Sequence, residues 1–87
     1  MSSYGSEILG VQPLELVDRS IGKPVTIITS VGNEYEGILQ GFDSAVNCVL
    51  NDAIETNVVD TNFRPMHHKT ILINGGCISL ILPNQED

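Results

Sequence analysis

The side chains able to do chemistry in this 87-residue sequence are few. Asp43 and Asn47 stand four apart in Asp-Ser-Ala-Val-Asn, a carboxylate and an amide that can grip a ligand edge or satisfy the backbone of their own turn. Asn74-Gly75-Gly76 separates two aliphatic runs and reads first as a hairpin turn, with an amide side chain at its start. His67 and His68 precede Lys69 and invite a metal site or a pH switch. Neighbours on a strand point to opposite faces, so the pair cannot jointly hold one ion, and a solvated loop accounts for it better. Cys48 and Cys77 form no C-x-x-C pair. With no secretory signal visible in residues 1–6, they read as reduced, small, buried hydrophobes.

This inventory does not describe an enzyme. It holds no Ser-His-Asp order, no metal-spaced His/Cys set and no phosphate-cradling glycine loop. Nothing in the spacing singles out Asp43 with His67 or His68 as an acid–base pair. The expectation is no catalytic residue, no metal, no cofactor and no small-molecule substrate. No apolar run approaches the roughly 18–20 residues of a membrane helix, so no membrane partner is expected either. The net charge is −7, and the only basic residues are Arg19, Lys23, Arg64 and Lys69. Taken alone, that balance argues against a chain that grips phosphate backbones by itself.

The elements that must position these residues are short. Residues 1–10 are Ser/Gly-rich and read as a loose tail, 11–83 as one domain, and 84–87 as a short acidic tail. Pro13 suits a first helical position, and Leu14, Val17 and Ile21 form one narrow apolar stripe. Gly22 and Pro24 stop that helix. Strands follow over 25–29, 34–42, 46–54, 69–73 and 77–82, with a polar, mixed variable loop with ragged strand ends over 56–68. Gly37 and Gly41 interrupt the second strand, where glycine marks a bulge, a bend or a close backbone approach. Phe42 reads as core. The architecture is therefore all-β with a short N-terminal helix: five consecutive antiparallel strands, strongly bent into a small, partly open barrel.

Ile71-Leu72-Ile73 and Ile78-Ser79-Leu80-Ile81 are apolar at nearly every position, whereas a half-exposed strand alternates. A chain this small cannot cover both faces of five strands, so something outside it must cover these two. Bare apolar edges aggregate, and a neighbour adding its own strand is the remedy. The pattern predicts an oligomer.

Two stretches carry a family resemblance. Gly37-Ile38-Leu39-Gln40-Gly41-Phe42-Asp43-Ser44-Ala45-Val46-Asn47 and the apolar run to Asp52 resemble the first Sm motif. Ile71-Leu72-Ile73-Asn74-Gly75-Gly76-Cys77-Ile78 and the strand after it resemble the second, with Asn-Gly where Arg-Gly is usual. Residues 13–82 fit the plan of the Sm-like (LSm) family: a helix, five bent strands of the Sm fold, and a variable loop before the fourth.

The resemblance implies a non-enzymatic subunit of a hetero-heptameric ring. Sister LSm subunits would pair fourth and fifth strands across the contact, through Thr70, Ile71, Leu72, Ile73, Ile78, Ser79, Leu80 and Ile81. It implies binding of uridine-rich single-stranded RNA, including U6 small nuclear RNA in splicing and shortened messenger RNA in decay, in nucleus and cytoplasm. Carried over by position, Asn47 would hydrogen-bond the uracil edge and Asp43 would fix the loop. Ala45 would stand at the stacking position, Asn74 would cover the other base face or contact the backbone, and Gly75 would permit close approach. Ala45 lacks the aromatic or His ring common there, and Asn74 lacks the planar cation of Arg. The expectation is a weak pocket in a subunit whose larger task is to close the ring. The rival readings are a scaffold, or a self-assembling Sm-like subunit, with little or no RNA contact.

Overall fold

The computed structural model describes residues 14–84. Helix α1 spans Leu14–Arg19, followed by β1 (Pro24–Thr29), β2 (Asn33–Phe42), β3 (Cys48–Asn57), β4 (Met66–Ile73), a 3-10 turn (Gly75–Cys77) and β5 (Ile78–Pro83). The strands form one antiparallel sheet in the order β4-β3-β2-β1-β5. Pro13 and the expected 1–10 tail lie outside the described residues, as do residues 85–87. Asn84 is tied down: its N–H donates to the Pro24 carbonyl (3.0 Å), and the Thr26 hydroxyl donates to its Oδ1 (2.9 Å).

The bend has identifiable causes. The β2–β3 register jumps between Glu36 and Ile38 and again between Leu39 and Gly41. At the first jump β3 presses on Gly37, where a Cβ would sit 2.9 Å from Ala53 Cα; across from it Asp52 adopts a left-handed φ of 51°. The long pair β2–β3 can therefore serve both walls of the barrel. Val25, Ile27, Leu39, Cys48, Leu50, Ala53, Ile73 and Ile81 fill the interior, and Val17 of α1 closes it at one end. Of the expected helix stripe only Val17 is buried; Leu14 and Ile21 remain exposed. Phe42 is half-buried and packs on the core, as read from the sequence.

Three expectations need correction. The third strand begins at Cys48 rather than residue 46, because Val46 takes a left-handed φ of 63° and stays in the loop. It continues to Asn57, and the fourth strand starts at Met66, so both ends of the polar stretch are sheet and the loop is confined to residues 58–65. Glu55 explains that polarity. Asn33 Nδ2 (2.7 Å) and the Tyr35 hydroxyl (3.1 Å) donate to its carboxylate, and His68 Nε2 lies 2.8 Å from it. Desolvation first, then the charge of Glu55, raises the Tyr35 pKa. Finally, residues 74–77 are not a hairpin turn. They connect the two opposite edges of the sheet, and β4 and β5 do not pair with each other.

Candidate nucleic-acid interface

The chain leaves β2 through an Asp-anchored turn. Asp43 Oδ1 accepts from the N–H of Ala45 (2.9 Å) and of Asn47 (3.0 Å), and its Oδ2 accepts from Asn47 Nδ2 (3.0 Å). The backbone closes the same loop through Val46 N–H to the Asp43 carbonyl (2.9 Å) and Asp43 N–H to the Asn47 carbonyl (3.2 Å). An ionised carboxylate is the better acceptor, and these bonds, the Asn47 side chain's first, hold the Asp43 pKa below its ordinary value.

Asn47 then bridges to a second loop. Its Oδ1 accepts from the Gly75 N–H at 2.7 Å, joining residues 28 apart in sequence. The loops are in close contact there: a Cβ on Gly75 would collide with the Ala45 carbonyl oxygen and sit 2.7 Å from Val46 C. Asn74 braces its own turn, with Oδ1 accepting from Gly76 N–H (2.7 Å) and its carbonyl from Cys77 N–H (3.0 Å).

Asp43, Ala45, Asn47, Asn74 and Gly75 thus stand together on two latched loops. Ala45 and Asn74 are exposed at the rim. A carboxamide carries two N–H donors and two acceptor lone pairs on its oxygen. With one of each engaged, Asn47 retains an N–H and a lone pair in one plane, held in a fixed orientation. Such an edge matches a neighbouring carbonyl and N–H on a ligand, the pattern at uracil O4 and N3.

The edge strands were named for a different contact. Among the described residues β4 has only β3 as a strand neighbour and β5 only β1. On β4 Leu72 is 68% exposed and Thr70 is exposed too; on β5, at the opposite edge, Ser79 is exposed. Ile71, Ile78 and Leu80 are half-buried, while Ile73 and Ile81 belong to this chain's own core.

The histidines are strand residues, not loop residues. His67 approaches Asp52 (3.6 Å) and His68 reaches Glu55, separate carboxylates, as alternation along β4 requires. No group of three or more His, Cys, Asp or Glu that could hold a metal occurs among the described residues. No helix among them is long and apolar enough to cross a membrane. Cys48 is buried as expected, and desolvation, then Asp43, pushes its pKa up to about 11. Cys77 is exposed, against expectation, because the 3-10 turn carries it out of the sheet. Sequence reasoning missed Val46, whose left-handed backbone leaves no mark in hydrophobic alternation.

Residues 15–83 match the LSM domain family. The yeast LSM complex subunit LSM5 (Saccharomyces cerevisiae) is 36% identical, covering 84% of either chain. A Dictyostelium discoideum relative, the probable U6 snRNA-associated Sm-like protein LSm5, is 34% identical over 85% of this chain and 76% of its own. Among solved structures, the Pyrococcus abyssi Sm protein in complex with a uridine heptamer superposes with a TM-score of 0.73 at 32% identity. It covers 84% of this chain and 99% of that one. The heptameric SmAP1 of P. aerophilum gives 0.71 at 32% identity, over 83% and 92%.

Proposed function

Since the chain belongs to the LSM domain family, we propose that it is a non-enzymatic subunit of a hetero-heptameric LSm ring that holds uridine-rich single-stranded RNA. The observation that carries the reading is the latched amide. Asn47, fixed between Asp43 and the Gly75 N–H, offers one donor and one acceptor side by side. Uracil O4 accepts from Nδ2 while N3–H donates to Oδ1. Cytosine presents the reverse order and is disfavoured, because a polar pair left unmatched once the base is seated over it costs about 1–3 kcal/mol. Asp43 holds the loop, Gly75 lets the loops meet, and Ala45 and Asn74 flank the base.

Neither flank stacks well. Base–aromatic stacking is worth roughly 1–3 kcal/mol per base, and alanine supplies none of it. This subunit's pocket is the weaker kind, reading a base edge with little hold on its face. Its larger contribution is to continue the ring, with the open edge of β5 meeting the β4 edge of one neighbour and its own β4 meeting the next. Sister subunits supply the positive field that a chain of net charge −7 lacks. The relatives' names point to U6 small nuclear RNA and the LSM complex. Roles in splicing and in messenger RNA decay, in nucleus and cytoplasm, follow from that likeness. The exposed Ala45 and Asn74 also favour one second reading, a ring-closing scaffold without RNA contact.

Co-expression with the sister LSm subunits, native mass, and crosslinking of 4-thiouridine RNA separate the two. A crosslink within residues 43–47 that is lost in Asn47→Ala supports base holding, and its absence supports the scaffold. Ala45→Phe adds a stacking face and raises oligo-uridine affinity of the whole ring about fivefold or more if a base is seated there; unchanged affinity counts against a working pocket.

A further inference from the structure

Val46 stands between the two residues assigned to the base, and its backbone is left-handed (φ 63°). Branched side chains avoid that region, since Cβ crowds the following carbonyl, and a residue persists there only where its surroundings hold it. The Val46 side chain packs against the core and lines a small cavity of about 140 Å³ with Val17, Ile78 and Leu80. Its carbonyl carbon and oxygen form the surface against which Gly75 rests, and that oxygen accepts from Cys48 Sγ (3.2 Å).

We infer that Val46 is a positioning residue: its half-buried side chain, packed against the core, anchors the 43–47 loop so that Asn47 meets Gly75. The Asp43 bonds fix the loop's internal shape. They do not fix where that shape sits relative to the 74–76 turn, because every partner of Asp43 lies inside the loop. Toward the 74–76 turn the loop is held by the part-buried Asn47–Gly75 bond and by the close approach of Gly75 to the Ala45 and Val46 carbonyls, and a single hydrogen bond opens more readily than apolar packing. The side chain of Val46 is the part that cannot leave without exposing apolar surface. Its value to RNA binding rests on the base-holding role proposed for Asn47; the latch itself rests on geometry alone.

Val46→Gly separates the two properties, because glycine adopts the left-handed backbone freely and carries no anchor. In the co-assembled ring, hydrogen exchange at Gly75 N–H is expected to rise about tenfold in Val46→Gly, with exchange at core amides such as Leu50 unchanged. Val46→Ile, equally branched and apolar, is expected to restore slow exchange. Unchanged exchange at Gly75 overturns the inference, and so does acceleration of Gly75 and Leu50 together, which is the mark of plain destabilisation. Crosslinking of 4-thiouridine to residues 43–47 is expected to fall in parallel with the local opening. If Asn47→Ala keeps the crosslink, the base-holding role fails, while the exchange result still decides whether Val46 sets the latch.

Discussion

Gly75→Ala is the sharpest test of the two-loop site. The added methyl would overlap the Ala45 carbonyl oxygen and lie 2.7 Å and 2.9 Å from Val46 C and O. Comfortable separations are about 3.5 Å, so the turn or the loop must retreat by about 1 Å. Backbone atoms on both sides leave no flexible tip to swing away. Overpacking of this kind costs about 1–3 kcal/mol. A retreat of that size also breaks the 2.7 Å bond from Gly75 to Asn47, worth about 1 kcal/mol more. The sum, about 2–4 kcal/mol, lowers the melting temperature by roughly 8–30 °C at about 4–8 °C per kcal/mol for a domain of this size. Gly41→Ala is the matched control, since a Cβ there meets nothing within 4 Å. It is expected to be neutral or to stabilise by up to about 1 kcal/mol, through a less flexible unfolded chain. Both variants are to be melted in the assembled form at fixed subunit concentration, because assembly and folding are linked. Oligo-uridine binding is read in the same samples and is expected to fall only in Gly75→Ala. A Gly75→Ala ring that melts within about 2 °C of the parent, or a Gly41→Ala ring that loses as much, refutes the close-approach argument.

Three further outcomes follow from the same geometry. Because its folded pKa is depressed, Asp43 contributes loop order fully above the ordinary aspartate range and loses it as pH falls through the lower folded value; the Asn47 side-chain amide signal, followed by NMR, should be constant through neutral and mildly acidic pH and move only in stronger acid. With its thiol pushed up to about 11 and buried, Cys48 should resist maleimide at neutral pH while exposed Cys77 reacts, giving one label per native chain by mass. Leu72→Asp places a charge on the open β4 edge without touching the core; native mass should show lost ring assembly with sister subunits, and an intact ring would mean that this edge is not a contact.

Much of this was legible because local chemistry and global fold agree at particular residues. Gly37 read as a bend and is one, pressed against Ala53. That Asp43 fixes the loop and Asn47 is implied by the family resemblance, while the residues alone leave a local turn and a ligand grip both open; the hydrogen bonds show the turn. Gly41 was legible only in part: it stands at a register jump, yet open space surrounds it, so no close approach demands glycine there. What escaped has physical reasons. Polarity over residues 55–57 and 66–68 reads as loop until Asn33, Tyr35 and His68 converge on Glu55, and partners so distant in sequence leave no local signature. The left-handed φ of Val46, in a residue that packs against the core, is likewise encoded in no periodicity.

Asn74-Gly75-Gly76 was misread as a hairpin turn for a reason that ties the site to the assembly. Turn chemistry between two apolar strands predicts that the strands pair. Here Gly75 is held against the Ala45 and Val46 carbonyls, and the chain leaves the 3-10 turn toward β1, where Ser30 N–H donates to the Cys77 carbonyl (2.9 Å). β5 is thereby delivered to the far edge of the sheet, and β4 is left on the other. Had the turn been an ordinary hairpin, β5 would have paired with β4, and the two edges of the sheet would have been β5 and β1 instead of β4 and β5. The contact that latches Asn47 lies in the connection that makes β4 and β5 the two edges. On the proposed reading, the loops that would hold a nucleotide and the two strands that would dock neighbours are tied together through this one connection, so neighbours pairing with those strands would also fix where the loops sit in the ring.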